Sequence, residues 1–423
     1  MNISTFKAFR SRNYSLYFTG QSVSLIGTWM QRTAVYWLVY MQTHSAFMLG
    51  LVLFATQFPS FLLSPLGGVI SDRYNRYKVL LVTQIASLIQ ASLLVMVVVF
   101  TQYQIWEIFA LSILLGIINA VDVPARQSMV YEMVDYKEDL PNAIALNSSM
   151  VNLARLIGPA LSGIILEKLG AGTCFLINAF SFLAVILSLL LMRYPKFVPR
   201  QHPGKVVGEF REGWKYLKRT PSLAYVIILI ALVSLLVVPF ITLLPVYAKV
   251  IFNGNASTFG YLNSAIGLGA IGGAFFLASM KAGVNLKKFL FISLLIFGGA
   301  LILFSHITNL PLALLFAMLA GFGMMSQSTI SNTIIQTNVS LEMRGRIISY
   351  FAMAFFGMQP LGGLLIGAVS QSIGAPYTIL AEGLAAVVIA LIFLPFFRKE
   401  FLNKKDEIKL VESEDPTVTI NNN

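Results

Sequence analysis

Gly68-Val69-Ile70-Ser71-Asp72-Arg73-Tyr74-Asn75-Arg76-Tyr77-Lys78 sets a glycine, an aspartate and three cations in a turn between two apolar stretches. The turn is too short to be a soluble domain, so it joins consecutive membrane spans as a charged hairpin. Crossing ~30 Å of hydrocarbon takes roughly 20 apolar residues per helix. Outward from this turn, apolar runs divided by charge or turn signals fall near residues 15–40, 46–70, 79–100, 105–125, 143–166, 173–192, 221–249, 257–280, 289–305, 311–335, 347–371 and 375–397, twelve in all. Hydrophobic residues are 57% of the 423 and charged residues 11%, with a mean hydropathy of +0.76, outside the soluble globular range. The expected fold class is an all-α polytopic membrane protein with twelve transmembrane helices.

A polar, basic segment from Met1 to Arg12 precedes the first run, with no small-residue cleavage site, which points to an uncleaved first span. The lone Cys174 excludes an internal disulfide. Net charge is +12, and its distribution argues against nucleic acid as a partner. With an inside amino terminus, Lys168 and Lys249 are the cations left outside and Arg32 and Arg155 lie within spans, while the rest fall in cytoplasmic segments. That is the positive-inside pattern, and it puts both termini in the cytoplasm.

The chain is also a duplication whose register can be counted. Gly67-Gly68 recurs as Gly272-Gly273 and Gly116 as Gly321, displaced by 205, while Gly158, Gly163 and Gly170 recur as Gly362, Gly367 and Gly374, displaced by 204. Two six-helix pseudo-repeats with a substrate site between them are the expected architecture: residues 1–193, a linker at 194–220, residues 221–398, and a disordered tail at 399–423. In the linker, Val206, Phe210, Trp214 and Leu217 follow helical spacing, and the expectation is an amphipathic helix on the anionic inner leaflet. The tail is polar, alternates charge and ends in Asn-Asn-Asn.

A turn of the form Gly-x-x-x-Asp-Arg-x-x-Arg after the second of twelve spans resembles the loop signature of the major facilitator superfamily, here at Gly68, Asp72, Arg73 and Arg76. The resemblance implies a latch at the cytoplasmic face. Asn75 stands where that family usually has glycine, and asparagine tolerates a left-handed turn; Tyr77 stands where a second cation is usual, with Lys78 one place later. Gly27-Thr28-Trp29-Met30-Gln31 with Trp37-Leu38-Val39-Tyr40, Leu140-Pro141-Asn142-Ala143-Ile144-Ala145-Leu146-Asn147, and Phe210-Arg211-Glu212-Gly213-Trp214-Lys215-Tyr216-Leu217 resemble the branch containing enterobactin exporters and macrolide efflux proteins. That implies a proton-coupled exporter of small amphipathic molecules, such as a siderophore, a macrolide or another drug, working by alternating access in a bacterial-type inner membrane.

Gly158-Pro159-Ala160-Leu161-Ser162-Gly163 resembles the antiporter signature of the same superfamily, in which the seam is taken to seal the cavity against leak. From spacing alone, Ala154, Gly158 and Ser162 form a small-residue face that lets another helix approach closely, whether or not it seals anything.

Ionisable residues within spans are functional candidates by default. Gln21, Ser24, Thr28 and Arg32 draw one polar stripe on the first span. Asn119, Asp122 and Arg126 lie along one face of the fourth, with Asp122 placed four residues before Arg126 for a helical ion pair. Asp122 is either a proton carrier or part of a structural pair near the Asp72 turn. Where the superfamily's coupling motif would put an arginine on this span, Ser112 stands instead. Ser148, Asn152 and Arg155 line the fifth span, Asn332 the tenth, and Glu382 in the last is a second candidate proton carrier. Two arginines, several amides and one or two acids suit an amphipathic, anionic or catechol-like cargo rather than a cationic drug.

The expected partners are a small-molecule substrate and membrane lipids, with the chain acting as a monomer and with no cofactor beyond the proton gradient. A lipid or lysolipid flippase of the same fold is the alternative, since it needs no coupling acid. A membrane-embedded enzyme is remote: the three histidines, His44, His202 and His306, form no HExxH and meet no paired acids, and the phosphate-binding GxxxxGK[ST] loop is absent.

Overall fold

An unpaired backbone amide or carbonyl in hydrocarbon costs several kcal/mol, so each apolar run closes its hydrogen bonds on itself as a helix. The computed structural model describes residues 3–193, 206–280, 284–340 and 342–396, and among these it contains helices and no strand. The first half holds α1 (Arg12–Thr43), α2 (Ala46–Arg73), α3 (Arg76–Phe100), α4 (Ile105–Met133), α5 (Leu140–Leu169) and α6 (Ala171–Leu190). After the linker helix α7 (Val206–Arg219), the second half holds α8 (Pro221–Ile251), α9 (Ala256–Ala278), α10 (Leu286–Ser305), α11 (Leu310–Asn338), α12 (Arg344–Ile373) and α13 (Ala375–Ile392).

Eleven of these are long and apolar enough to cross a membrane. The twelfth, α1, has ample length at 32 residues, but its polar stripe dilutes it. Two spans depart from regular helix. In α8 a 3-10 turn at Val238–Leu243 and a π turn at Tyr247–Ile251 surround Pro239 and Pro245, where proline removes backbone donors. In α12 a π turn occupies Met353–Gly357.

The duplication is visible in the packing. α1 packs on α5 and α6, α2 on α4, and α3 on α4 and α6; the counterparts are α8 on α12 and α13, α9 on α11, and α10 on α11 and α13. The repeated glycines sit at these crossings. A Cβ on Gly116 would lie 2.6 Å from the Thr56 carbonyl oxygen, and one on Gly321 would collide with the Ile266 carbonyl. Gly158 and Gly362 admit Trp29 of α1 and Leu235 of α8 in the same way. Gly170 and Gly374, at φ +80° and +86°, make the same left-handed turn into α6 and α13, a backbone region that disfavours side chains.

The halves meet along α2 with α12 and α5 with α9. The linker helix does not lie free of the bundles: Leu217 is buried, Gly213 abuts Tyr350, Glu212 pairs with Arg346, and the Tyr216 hydroxyl accepts from the Ser340 amide at 3.3 Å, all on the second half. Of its expected apolar face, Trp214 is exposed, and the Val206 and Phe210 side chains lie outside the described residues. So do linker residues 194–205 and the tail at 399–423.

Candidate functional site

The turn after α2 is organised by Arg76. Its Nε donates to the Ser71 carbonyl at 3.1 Å, one Nη to Asp72 at 3.1 Å, and the other Nη to Glu132 at the end of α4. A cation on the last carbonyls of α2 also complements that helix dipole. All three partners belong to the first half, so Arg76 ties α2, α3 and α4 together. Arg73 is exposed. Asn75 is not left-handed, as its family position suggested: at φ −60° it caps α3, its side chain accepting from the amides of Tyr77 and Lys78. The close helix approach falls on Gly67, where a Cβ would strike the Ala120 carbonyl, while a Cβ on Gly68 meets open space. This basic end of the molecule also holds a crevice of about 540 Å³, lined among others by Arg76, Tyr131, Asn147 and Ser148.

The small residues of α5 form two faces. Ala154, Gly158 and Ser162 turn to α1, where Trp29 seats on Gly158 and the Ser162 hydroxyl donates to the Met30 carbonyl at 3.0 Å. Gly163 turns to α9: a Cβ there would lie 2.8 Å from the Ala256 carbonyl, and the Pro159 carbonyl abuts Gly260. Among the described residues, polar contacts that join the halves gather away from the basic end. Glu167 accepts from Asn255 at 2.6 Å and from Ser257, the Ser264 hydroxyl donates to the Leu156 carbonyl at 2.9 Å, and Ser45 of α2 donates to Gln371 of α12 at 3.1 Å. Trp37 stacks on Phe259 in the same region.

The membrane-embedded candidates separate into distinct places. Asp122 is buried and accepts from Thr83 at 2.8 Å and Gln84 at 2.7 Å on α3, with Arg126 Nε at 3.4 Å. Its partners are therefore on α3 and its own helix, not on the Asp72 turn as expected. Asn119 is half-buried one turn away. The α1 stripe splits: Gln21 is buried with its amide oxygen unpartnered among the described residues, and Thr28 donates to the Ser24 carbonyl of its own helix. Arg32 stands over the Trp29 ring at 5.2 Å, and Arg155 over the same ring at 5.8 Å. Asn152 bonds back to Ser148, and Asn332 accepts from Gln336 at 3.1 Å. Glu382 is buried within the second half with neither carboxyl oxygen hydrogen-bonded among the described residues. Its helix packs on α8, α10 and α12.

The sequence profile of the transmembrane secretion effectors matches residues 3–422. The chain belongs to the transmembrane secretion effector family. Its relatives include the staphyloferrin A transporter of Staphylococcus aureus, 30% identical over 94% of this chain and 98% of that protein. The enterobactin exporter of Escherichia coli is 25% identical over 89% and 90%, and macrolide efflux protein A of Streptococcus pyogenes 21% over 88% and 93%. The fold is shared with a solved POT family transporter at a TM-score of 0.74, with 14% identity, covering 92% of this chain and 96% of that one. This secretion effector is thus a multi-pass membrane transporter of small molecules with the major facilitator fold, and not an enzyme.

Several residues of the effector's site escape pattern reading. Trp29 sits in a quoted motif, yet nothing in its spacing says that two arginines share its ring. Gln31, Gln90 and Asn178 form one buried chain across α1, α3 and α6, with Asn178 donating to Gln31 at 2.7 Å and Gln31 to Gln90 at 3.1 Å. Glu132 and Glu167 lie at helix ends, where an acid reads as merely solvated. The Leu-Pro-Asn motif does have a visible role: the Asn142 side chain accepts from the Ala8 amide at 3.0 Å, and Arg10 pairs with buried Asp139, pinning the amino-terminal segment under α5.

Proposed function

We propose that this secretion effector exports small amphipathic molecules from the cytoplasm by alternating access in a bacterial inner membrane, as a monomer, driven by exchange for protons. On this reading the basic end is cytoplasmic, both termini lie there, and the opposite end is the outer gate. The observation that carries the reading is the one-sided junction: among the described residues the polar contacts between halves lie away from the basic end, where the first half alone lines a crevice. Such a junction suits a carrier loaded from the cytoplasm. The names of the relatives support siderophores and macrolides as the cargo class.

Glu382 suits the proton better than Asp122. A buried carboxyl without a partner changes the energy of its bundle strongly when it gains or loses charge, whereas Asp122 is held by three partners as a structural element. The test begins with a deletion strain screened across siderophores, macrolides and dyes. The compound whose efflux is lost is then followed in proteoliposomes with an imposed pH gradient. Export that requires the gradient, and loses that requirement in Glu382→Gln, supports the reading. Undiminished flux after neutralising both Asp122 and Glu382 contradicts it and favours a lipid flippase.

A further inference from the structure

Two positive charges share one aromatic ring where α1 meets α5. The guanidinium carbons of Arg32 and Arg155 stand 5.2 and 5.8 Å from the Trp29 centroid, which keeps them within about 11 Å of each other, the sum of those two distances. Arg32 also leans on the Tyr36 ring at 5.9 Å. A guanidinium within a membrane is costly unless something answers its charge, and a ring face lessens that cost without neutralising it.

The described acids do not answer it. Asp122 is occupied by Thr83, Gln84 and Arg126, and Glu132 and Asp72 by Arg76. Glu107 caps its own helix, Glu167 holds Asn255 and Ser257, and Asp139 holds Arg10. From residue 221 to 396 the chain has two acids, Glu342 in a turn and Glu382 within the second half. Neither Arg32 nor Arg155 takes part in an ion pair among the described residues. Both residues are half-buried.

A guanidinium is a planar fork matched to a carboxylate, and it keeps its charge at any physiological pH. We propose that Arg32 and Arg155 form a two-point anion site that takes the cargo through two carboxylates, with Trp29 as the apolar floor between them. The cargo class is then small polycarboxylates carrying an apolar part, and cationic amphiphiles are rejected by like charge. This rests on the transport reading above and narrows its cargo. A two-carbon or three-carbon spacer between carboxylates, with a hydrogen bond of ~2.8 Å at each end, reaches across such a gap.

The test is calorimetric titration of the full-length protein in lipid nanodiscs with citrate, acetate and tetraphenylphosphonium at equal ionic strength. Citrate should bind at least tenfold more tightly than acetate, and tetraphenylphosphonium more weakly than either. Arg32→Gln and Arg155→Gln should each weaken citrate tenfold to a hundredfold, the usual yield of a charge-assisted hydrogen bond, and the lysine variants should lose less. The inference is overturned if citrate binds no more tightly than acetate, or if glutamine variants that melt like the parent bind citrate unchanged. Should the glutamine variants not fold, the three probes on the parent and on the lysine variants decide it. Failure of the transport reading registers separately, as proteoliposomes of the same protein that bind citrate yet carry no flux.

Discussion

Glu167 at the end of α5 accepts a hydrogen bond from Asn255 at 2.6 Å, and Asn255 is the residue that caps α9. One carboxylate of the first half thus holds the start of a helix in the second, with Ser257 on its other oxygen. If the halves alternate as proposed, this exposed contact forms in the closed state and breaks in the open one. Glu167→Ala removes it, at about 1–2 kcal/mol for exposed charge-assisted bonds. The population open at this end should rise several-fold, seen as faster thiol labelling of a cysteine replacing buried Ala256. Unchanged labelling would remove Glu167 from the gate.

The two glycine faces of α5 make a separate prediction. Gly163→Val forces side-chain atoms onto the Ala256 carbonyl and Gly260, an overpacking of about 1–3 kcal/mol that acts on the junction rather than within a bundle. Flux should fall more than tenfold while the melting temperature changes by only a few degrees. Gly158→Val, which strikes Trp29 inside the first half, should instead lower the melting temperature, and a scan of both variants separates the two roles.

Gly67 and Gly68 exchange the importance that their motif suggests. Gly67→Ala meets the Ala120 carbonyl and should destabilise the first half by about 1–3 kcal/mol, whereas Gly68→Ala enters open space and should stay within about 0.5 kcal/mol of the parent. Thermal melting in detergent reads the difference, and the opposite order would mean that α2 and α4 cross elsewhere.

Asp122 and Glu382 should respond differently to neutralisation. Asp122→Asn weakens bonds to Thr83, Gln84 and Arg126, costing about 1.5–3 kcal/mol, and should lower stability while leaving the pH dependence of flux intact. Glu382→Gln replaces a group with no hydrogen-bond partner among the described residues. It should keep the melting temperature and remove the gradient dependence. A pH profile of flux beside a melting curve for each variant distinguishes them.

What the sequence made legible was what repeats or alternates. Apolar runs marked the spans because hydrocarbon thickness sets their length, and a glycine offset of 204 to 205 marked the halves because each copy needs the same close crossings. Pairing across helices was not legible. Asp122 looked like a partner of the nearby charged turn, yet Thr83 and Gln84 reach it from α3, and neutral side chains leave no trace in a charge pattern. Asn75 was expected to bend the turn and instead caps α3, since asparagine serves both purposes equally well in sequence. The shared ring of Arg32 and Arg155 depends on residues 123 positions apart meeting at Trp29, which no local pattern encodes.

The central claim is that the junction between α2 and α12 opens and closes in every transport cycle. Ser45 and Gln371, hydrogen-bonded at 3.1 Å across that junction, can be replaced by cysteines and bridged with a short reducible crosslinker. Flux into proteoliposomes should then fall to background and return on adding reductant. A bridged protein that carries its cargo at the parent rate would contradict the account.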